Sequence, residues 1–167
     1  PHDRCQPRSR RYSPPAASGN GPKRQRIVFS GDLGAPHAPL LPAPKSPQRA
    51  DTVVLESTYG DRRHMANGTV ERLADLINRT VDRGGVVVIP AFAVDRTEVV
   101  LYHLHELHRE GRLPPVPIYV DSPMARNATA IFVRHPECFD EQTFAQFRQG
   151  DGEPFGFSRL RYVGSAE

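Results

Sequence analysis

The sequence predicts an α/β protein built on a mainly parallel sheet. Two observations carry that reading: strand-like and helix-like stretches alternate from residue 27 onward, and the strand-like ones are continuous apolar runs, VVVIPAFAV at 86–94 among them. A strand with one face in water alternates apolar and polar residues, whereas a parallel strand covered on both faces does not. No internal repeat interrupts the pattern.

Residues 1–25, PHDRCQPRSRRYSPPAASGNGPKRQ, mix Arg, Ser, Pro and Gly without apolar periodicity and are expected to be disordered or foreign to the fold. Order begins at RIVFSGD, where Ile27, Val28 and Phe29 make a short buried-type strand closed by a Gly-Asp turn. A Pro-rich loop spans 34–50, and TVVLES at 52–57 is a second apolar strand followed by the polar, turn-like STYGDRRH. Val70, Leu73, Ala74, Ile77 and Val81 recur at helical spacing, so a helix runs from Thr69 to a Gly84-Gly85 stop, with Glu71 in its first turn. GGVVVIPAFA then reads as a fully buried strand, and Thr97 opens a second helix that runs to about Glu110 and ends at Gly111. PPVPIYVDS is the next strand, and a third helical stretch covers Ala125 to Arg134.

The chain has 167 residues, 38% of them hydrophobic and 25% charged, the composition of a soluble globular type. Its apolar runs fall well short of the roughly 20 residues that cross a bilayer, so no membrane span is expected. Residue 1 is Pro with no apolar leader behind it, and VGSAE directly follows the strand-like LRYV, so both ends read as cut. Cys5 and Cys138 are far apart and form no CxxC pair, which suggests neither a disulfide framework nor a cysteine zinc site and makes a cytoplasmic chain the default. A net charge of +3 favours a polyanionic partner.

HLHELH at 103–108 matches the HxHxDH pattern of dinuclear zinc hydrolases except at Leu107, where an aspartate is needed. It falls inside the second predicted helix, where about 100° per residue puts His103 and His105 on nearly opposite sides. They cannot share one metal. Val100, Leu104 and Leu107 fall on one stripe and face the core, while His105 and His108 are i, i+3 neighbours open to weak metal binding or to solvent.

Four other stretches carry a resemblance. IVFSGDLG at 27–34, VVLESTYGDRRH at 53–64, VVVIPAFAVDRTE at 86–98 and PIYVDSPMA at 117–125, in this order, resemble the β-CASP family of the metallo-β-lactamase superfamily, which includes the pre-mRNA 3′-end processing endonuclease and its bacterial and archaeal RNase relatives. The resemblance implies that residues 26–60 are the end of a metallo-β-lactamase (αββα) lobe. It also implies that 65–167 are the first part of an inserted β-CASP α/β domain with a mainly parallel sheet, truncated at its C-terminal side. It implies two Zn2+ ions in the complete protein, which polarise a phosphodiester and generate hydroxide. By the same resemblance Asp32 is both catalytic and the metal-bridging ligand, and Glu56 is the catalytic-site acidic residue that orients a histidine acting as general acid near the leaving oxygen. Ser57, Tyr59 and Arg62 would line the cleft, within a polar cluster that also holds Thr58, Asp61 and His64; for Asp61 and Arg62 a hydrogen-bonded turn is an equal reading. Phe92 and Arg96 sit at a strand-to-helix crossover, a common place for ligand contacts, and Ser122 ends the next strand. Arg96 either meets a phosphate as a bidentate donor or pairs with Asp95 or Glu98. At the place of Asp95 many relatives carry Gly and others Glu.

By the same resemblance, a working member needs an HxHxDH motif and a further histidine before SGDLG, then two histidine motifs after the region where this chain ends. Here His37, His64, His103, His105, His108 and His135 fall between those positions, and His2 lies too far upstream, so the chain by itself is expected to be inactive. A one-base shift of the codons allowed for PHDRCQP permits His-Met-Ile-Gly-Ala-Ser, similar to the family's GHILGSA, so residues 1–25 read alternatively as a frame-shifted segment. The expected partner is RNA, single-stranded in preference, with no membrane and with homodimerisation left open. The rival readings are a non-catalytic RNA-binding homologue and the DNA-repair branch of the superfamily. A nucleotide-binding α/β domain lacks support because GxGxxG and GxxxxGK[ST] are absent.

Overall fold

The computed structural model describes residues 11–12, 25–33, 38–43, 49–63, 68–149 and 155–164, and among these strands and helices alternate. The chain divides into two units, Pro1–His64 and Met65–Glu167.

In the first unit, β1 (Arg11–Tyr12), β2 (Ile27–Phe29) and β3 (Thr52–Val54) form a sheet in the order β1-β2-β3. β2 and β3 are parallel, with Val28 opposite Val53, while β1 runs antiparallel with Arg11 opposite Val28. The dipeptide Arg11–Tyr12 is therefore in a strand, which corrects the expectation of disorder at these two positions. The rest of residues 1–24, including Cys5 and the segment read as frame-shifted, lies outside the described residues. Ladder bonds extend beyond the strands at both ends: Asp51 N donates to Arg26 O at 2.9 Å, and Ser30 N to Val54 O at 2.9 Å. Val28 and Leu40 are buried, but all three residues of β3 are exposed, against the expectation of a buried strand. Covering both faces of a strand needs a layer on each side, and the described part of this unit does not supply both.

The second unit holds α1 (Thr69–Asp82), α2 (Arg96–Arg109), β4 (Ile118–Val120), α3 (Pro123–Arg134), α4 (Glu141–Gln149) and β5 (Leu160–Tyr162), with a short 3-10 turn at Pro136–Cys138. β4 and β5 pair in parallel, Tyr119 opposite Arg161. α1 buries Ala74 and Ile77 from its predicted face, and α2 buries Leu101, Leu104 and Leu107, with Val100 only half-buried. Both helices end on the same device. Gly84 (φ 73°) and Gly111 (φ 67°) adopt the left-handed conformation, so that Gly85 N reaches Thr80 O and Arg112 N reaches Leu107 O, closing the last carbonyls of each helix. A side chain at Gly85 would also meet Thr80 at 2.9 Å, so Gly is required there for space.

α4 was not foreseen. Its signal is Asp140, whose Oδ1 accepts from Gln142 N and Thr143 N at 2.9 Å each, satisfying donors that a helix start leaves open. Phe132, Phe139 and Phe155 form a three-ring cluster with centroids 6.2 to 6.4 Å apart that joins α3 to the chain beyond α4.

The predicted strand at 86–94 does not form. Residues 85–92 have no regular structure, and Val86, Val88 and Phe92 are each more than four-fifths exposed. A strand needs backbone partners brought from elsewhere in the chain; β4 and β5 pair with each other, and no strand pairs with this run among the described residues. Between the run and α1, α2 and β4 lies a cavity of about 620 Å3 lined by Ile77, Val87, Ile89, Leu104, Ile118 and Val120.

Candidate functional site

In the first unit, the carboxyl ends of the parallel strands β2 and β3 lie side by side, and each is followed by an acidic residue. Ser30 locks them together: its N–H donates to Val54 O, its hydroxyl donates to Gly31 O at 2.6 Å, and it accepts from Glu56 N at 3.0 Å. Gly31, at φ 59°, turns the chain so that Leu33 N donates to Glu56 Oε1 at 3.0 Å. The Glu56 carboxylate thus touches the residue that follows Asp32. The Leu33 N–H, together with hydrogen bonds from Thr58, holds the Glu56 carboxyl below the usual glutamate range. The Asp32 carboxylate is exposed and receives no hydrogen bond among the described residues.

Beyond Glu56 the chain turns twice, with Gly60 N bonded to Ser57 O at 3.0 Å and Arg62 N to Tyr59 O at 3.2 Å. Ser57, Tyr59 and Arg62 are all exposed. Arg62 makes a two-pronged bond to Asp61, at 2.8 and 3.0 Å, so its fork is engaged by its neighbour. His64 and His37 lie outside the described residues.

In the second unit, Phe92 and Arg96 share a tight crossover into α2. The Phe92 carbonyl accepts from Thr97 Oγ1 at 2.7 Å and from Thr97 N at 3.2 Å, and Arg96 N donates to Val94 O at 2.9 Å. The last bond closes a γ-turn around Asp95, at φ 67° and ψ −58°, the rarer and strained hand of that turn. Asp95 is the one described non-glycine residue with positive φ, a conformation costing about 1–3 kcal/mol. The strain is consistent with the Gly expected at this position from the resemblance. Phe92 is 85% exposed, and the Arg96 guanidinium forms no ion pair with Asp95, Glu98 or any other described residue. Ser122, expected to contact substrate, uses its hydroxyl oxygen to cap α3, accepting from Ala125 N at 3.1 Å with Pro123 as the first helical residue. Ser122→Ala is expected to cost about 1 kcal/mol in unfolding free energy by urea titration; an unchanged midpoint would remove the cap from the account of α3.

The histidines of α2 pack against aromatic rings. His105 stacks on Phe157 with ring centroids 6.1 Å apart, His108 packs on the same ring at 5.4 Å, and His103 lies edge-on to Tyr102. Burial pushes His103 below the ordinary histidine value, keeping it neutral. Among the described residues, no cluster of three or more His, Cys, Asp or Glu side chains could hold a metal. Asp32 fits the part of one ligand, a hard carboxylate at the end of an ordered strand with its oxygens free. The described residues do not complete a zinc centre around it.

In this α/β protein, acids follow the parallel strands of the first unit, and in the second an arginine without an ion pair among the described residues opens α2. Comparison with known proteins gives the family. Residues 97–167 match the Beta-Casp domain. A ribonuclease of Thermus thermophilus is 40% identical over 152 residues, covering 90% of this chain and 34% of that protein. The transcription termination factor FttA of Methanosarcina mazei is 36% identical, covering 84% and 23%, and the endoribonuclease YSH1 of Kluyveromyces lactis is 29% identical, covering 83% and 19%. The chain belongs to the β-CASP family of the metallo-β-lactamase superfamily, as its four motifs predict. It spans about a third or less of the length of these relatives.

The sequence reading missed Ser30, Thr97, Thr129 and the role of Glu98. Only Glu98 left a signal: it lies three residues before Leu101, on the buried face of α2.

Proposed function

We propose that the complete protein hydrolyses RNA phosphodiester bonds with two Zn2+ ions, and that this chain carries one metal ligand, Asp32, and one orienting acid, Glu56. The observation that carries the reading is the Leu33 N–H to Glu56 hydrogen bond, which sets the two acidic strand ends side by side. Bound zinc would supply Lewis acidity and a water ionised near neutral pH. Glu56, held charged by its N–H partner, suits the orientation of a histidine better than proton donation.

Single-stranded RNA is the substrate we infer. Phe92 offers an open ring face on which an unpaired base can stack, and Arg96 offers an unpaired fork for phosphate at the same crossover. Stacked, paired bases would not expose their faces to Phe92. With Asp32 as its one fitting ligand among the described residues, the 167-residue chain by itself binds RNA and does not cut it.

The test measures zinc content and cleavage of single-stranded RNA and DNA by the complete gene product and by this chain. Zinc retention with RNA cutting by the complete protein, and binding without cutting by the chain, is the expected result. A complete protein that binds RNA without cutting it supports the non-catalytic homologue, and preferential cutting of DNA supports the repair branch.

A further inference from the structure

The crossover that carries Phe92 and Arg96 is tied to α3 by a buried polar relay. Glu98, in the first turn of α2, has no exposed surface, and Thr129 on α3 is 4% exposed. The Thr129 hydroxyl lies 3.0 Å from Glu98 Oε1 and 2.9 Å from the Ala125 carbonyl oxygen. That hydroxyl has one hydrogen and two oxygen neighbours. When it donates to Ala125, its contact with Glu98 is a hydrogen bond only if the carboxyl supplies the proton.

The other carboxyl oxygen points the same way. Glu98 Oε2 is buried and has no hydrogen-bond partner. A neutral carbonyl oxygen tolerates that place far better than part of a buried negative charge does. Burial pushes the Glu98 carboxyl above the ordinary value of 4.5, and the charge of Asp95, the charged group that faces it, adds to the rise. Donation to the ionised form, from its own backbone, from a Thr129 hydroxyl turned toward it and from the Asp95 backbone, pulls the other way.

We propose that Glu98 is a positioning residue for RNA binding: a neutral carboxylic acid that donates to Thr129 and so pins the strained crossover, with Arg96 on it, to α3. This rests on the RNA reading of the crossover given above. A strained turn such as the one at Asp95 persists only where its surroundings over-determine it. The two bonds from Thr97 to the Phe92 carbonyl hold it from one side, and the Glu98 to Thr129 bond holds the helix that follows it from the other.

The sign of the pH effect follows. With its folded value raised above 4.5, Glu98 contributes stability that is fully present below about pH 4.5 and is lost as pH rises through the raised value. Gln in its place offers an N–H donor to Thr129 at every pH.

The experiment uses the full chain as wild type, Glu98→Gln, Glu98→Leu and Arg96→Ala. Affinity for a labelled single-stranded polyuridine and the urea unfolding midpoint are read from about pH 5 to about pH 9. Arg96→Ala and Glu98→Leu should each weaken binding about tenfold at low pH. The wild type should lose affinity and stability as pH rises, while Glu98→Gln keeps the low-pH affinity throughout and flattens the stability slope. A Glu98→Gln slope equal to the wild type's overturns the proposal, as does Glu98→Leu binding normally while Arg96→Ala does not. Arg96→Ala binding like the wild type overturns the RNA reading itself, a separable failure because it leaves the Glu98→Gln slope flattened.

Discussion

Asp32→Ala in the complete protein should remove RNA cleavage by a factor of at least about 10³ and lower zinc content with it, the loss expected when several kcal/mol of metal-borne charge stabilisation disappears. The chain itself should lose no stability. Asp32 is exposed and receives no hydrogen bond among the described residues, so its removal leaves no buried group unpaired. Activity and folding therefore separate cleanly at this position. Asp32→Asn keeps the shape and removes the charge, and the same loss of zinc is expected from it because a neutral amide is a weak zinc ligand. Full zinc content and unchanged cleavage in either variant would remove Asp32 from the metal centre and leave it as the turn residue that its Gly31 and Leu33 neighbours equally suit.

Phe139→Ala should destabilise the second unit by about 3–5 kcal/mol, the range for truncating a buried phenyl ring. Phe139 is 1% exposed and packs on both Phe132 and Phe155, so truncation removes its own buried surface and both ring contacts. Each such contact adds about 0.5–1.5 kcal/mol beyond burial. Because the cluster joins α3 to the chain beyond α4, the loss should appear as a lower urea midpoint for the whole cooperative unit rather than as fraying of one helix. Phe139→Leu keeps most of the volume and should recover more than half of the loss. A cost below about 1 kcal/mol for the alanine variant would mean that the three rings do not pack in solution as they do in the structure.

The helices and their ends were legible because the rules that make them are local. The apolar spacing of Ala74 and Ile77, the glycines at 84 and 111, and Pro123 behind Ser122 each act within one or two turns, and the structure realises them within a residue or two. The placing of HLHELH within a helix was legible for the same reason, and helical geometry alone separates His103 from His105. Family membership came from motif order and not from any local rule, and the roles proposed for Asp32 and Glu56 rest on the same motifs.

Pairing across distance was decided by the tertiary structure alone. The run at 86–94 has the continuous apolar composition of a buried strand, broken by Pro90, and is not one, because a strand is completed by backbone partners that composition cannot name. Leu33 and Glu56 are 23 residues apart, Ser30 and Glu56 are 26, and Glu98 and Thr129 are 31. The spacing of Glu98 from Leu101 puts it on the buried face of α2, but nothing near it in the sequence names Thr129 as its partner. The sequence determined which segments carry acidic and basic groups at element ends; the folded chain decided which carboxyl stays charged against an N–H and which is buried beside a hydroxyl. Periodicity is written within a few residues, whereas desolvation and hydrogen-bond partnership are set by what the fold brings from elsewhere.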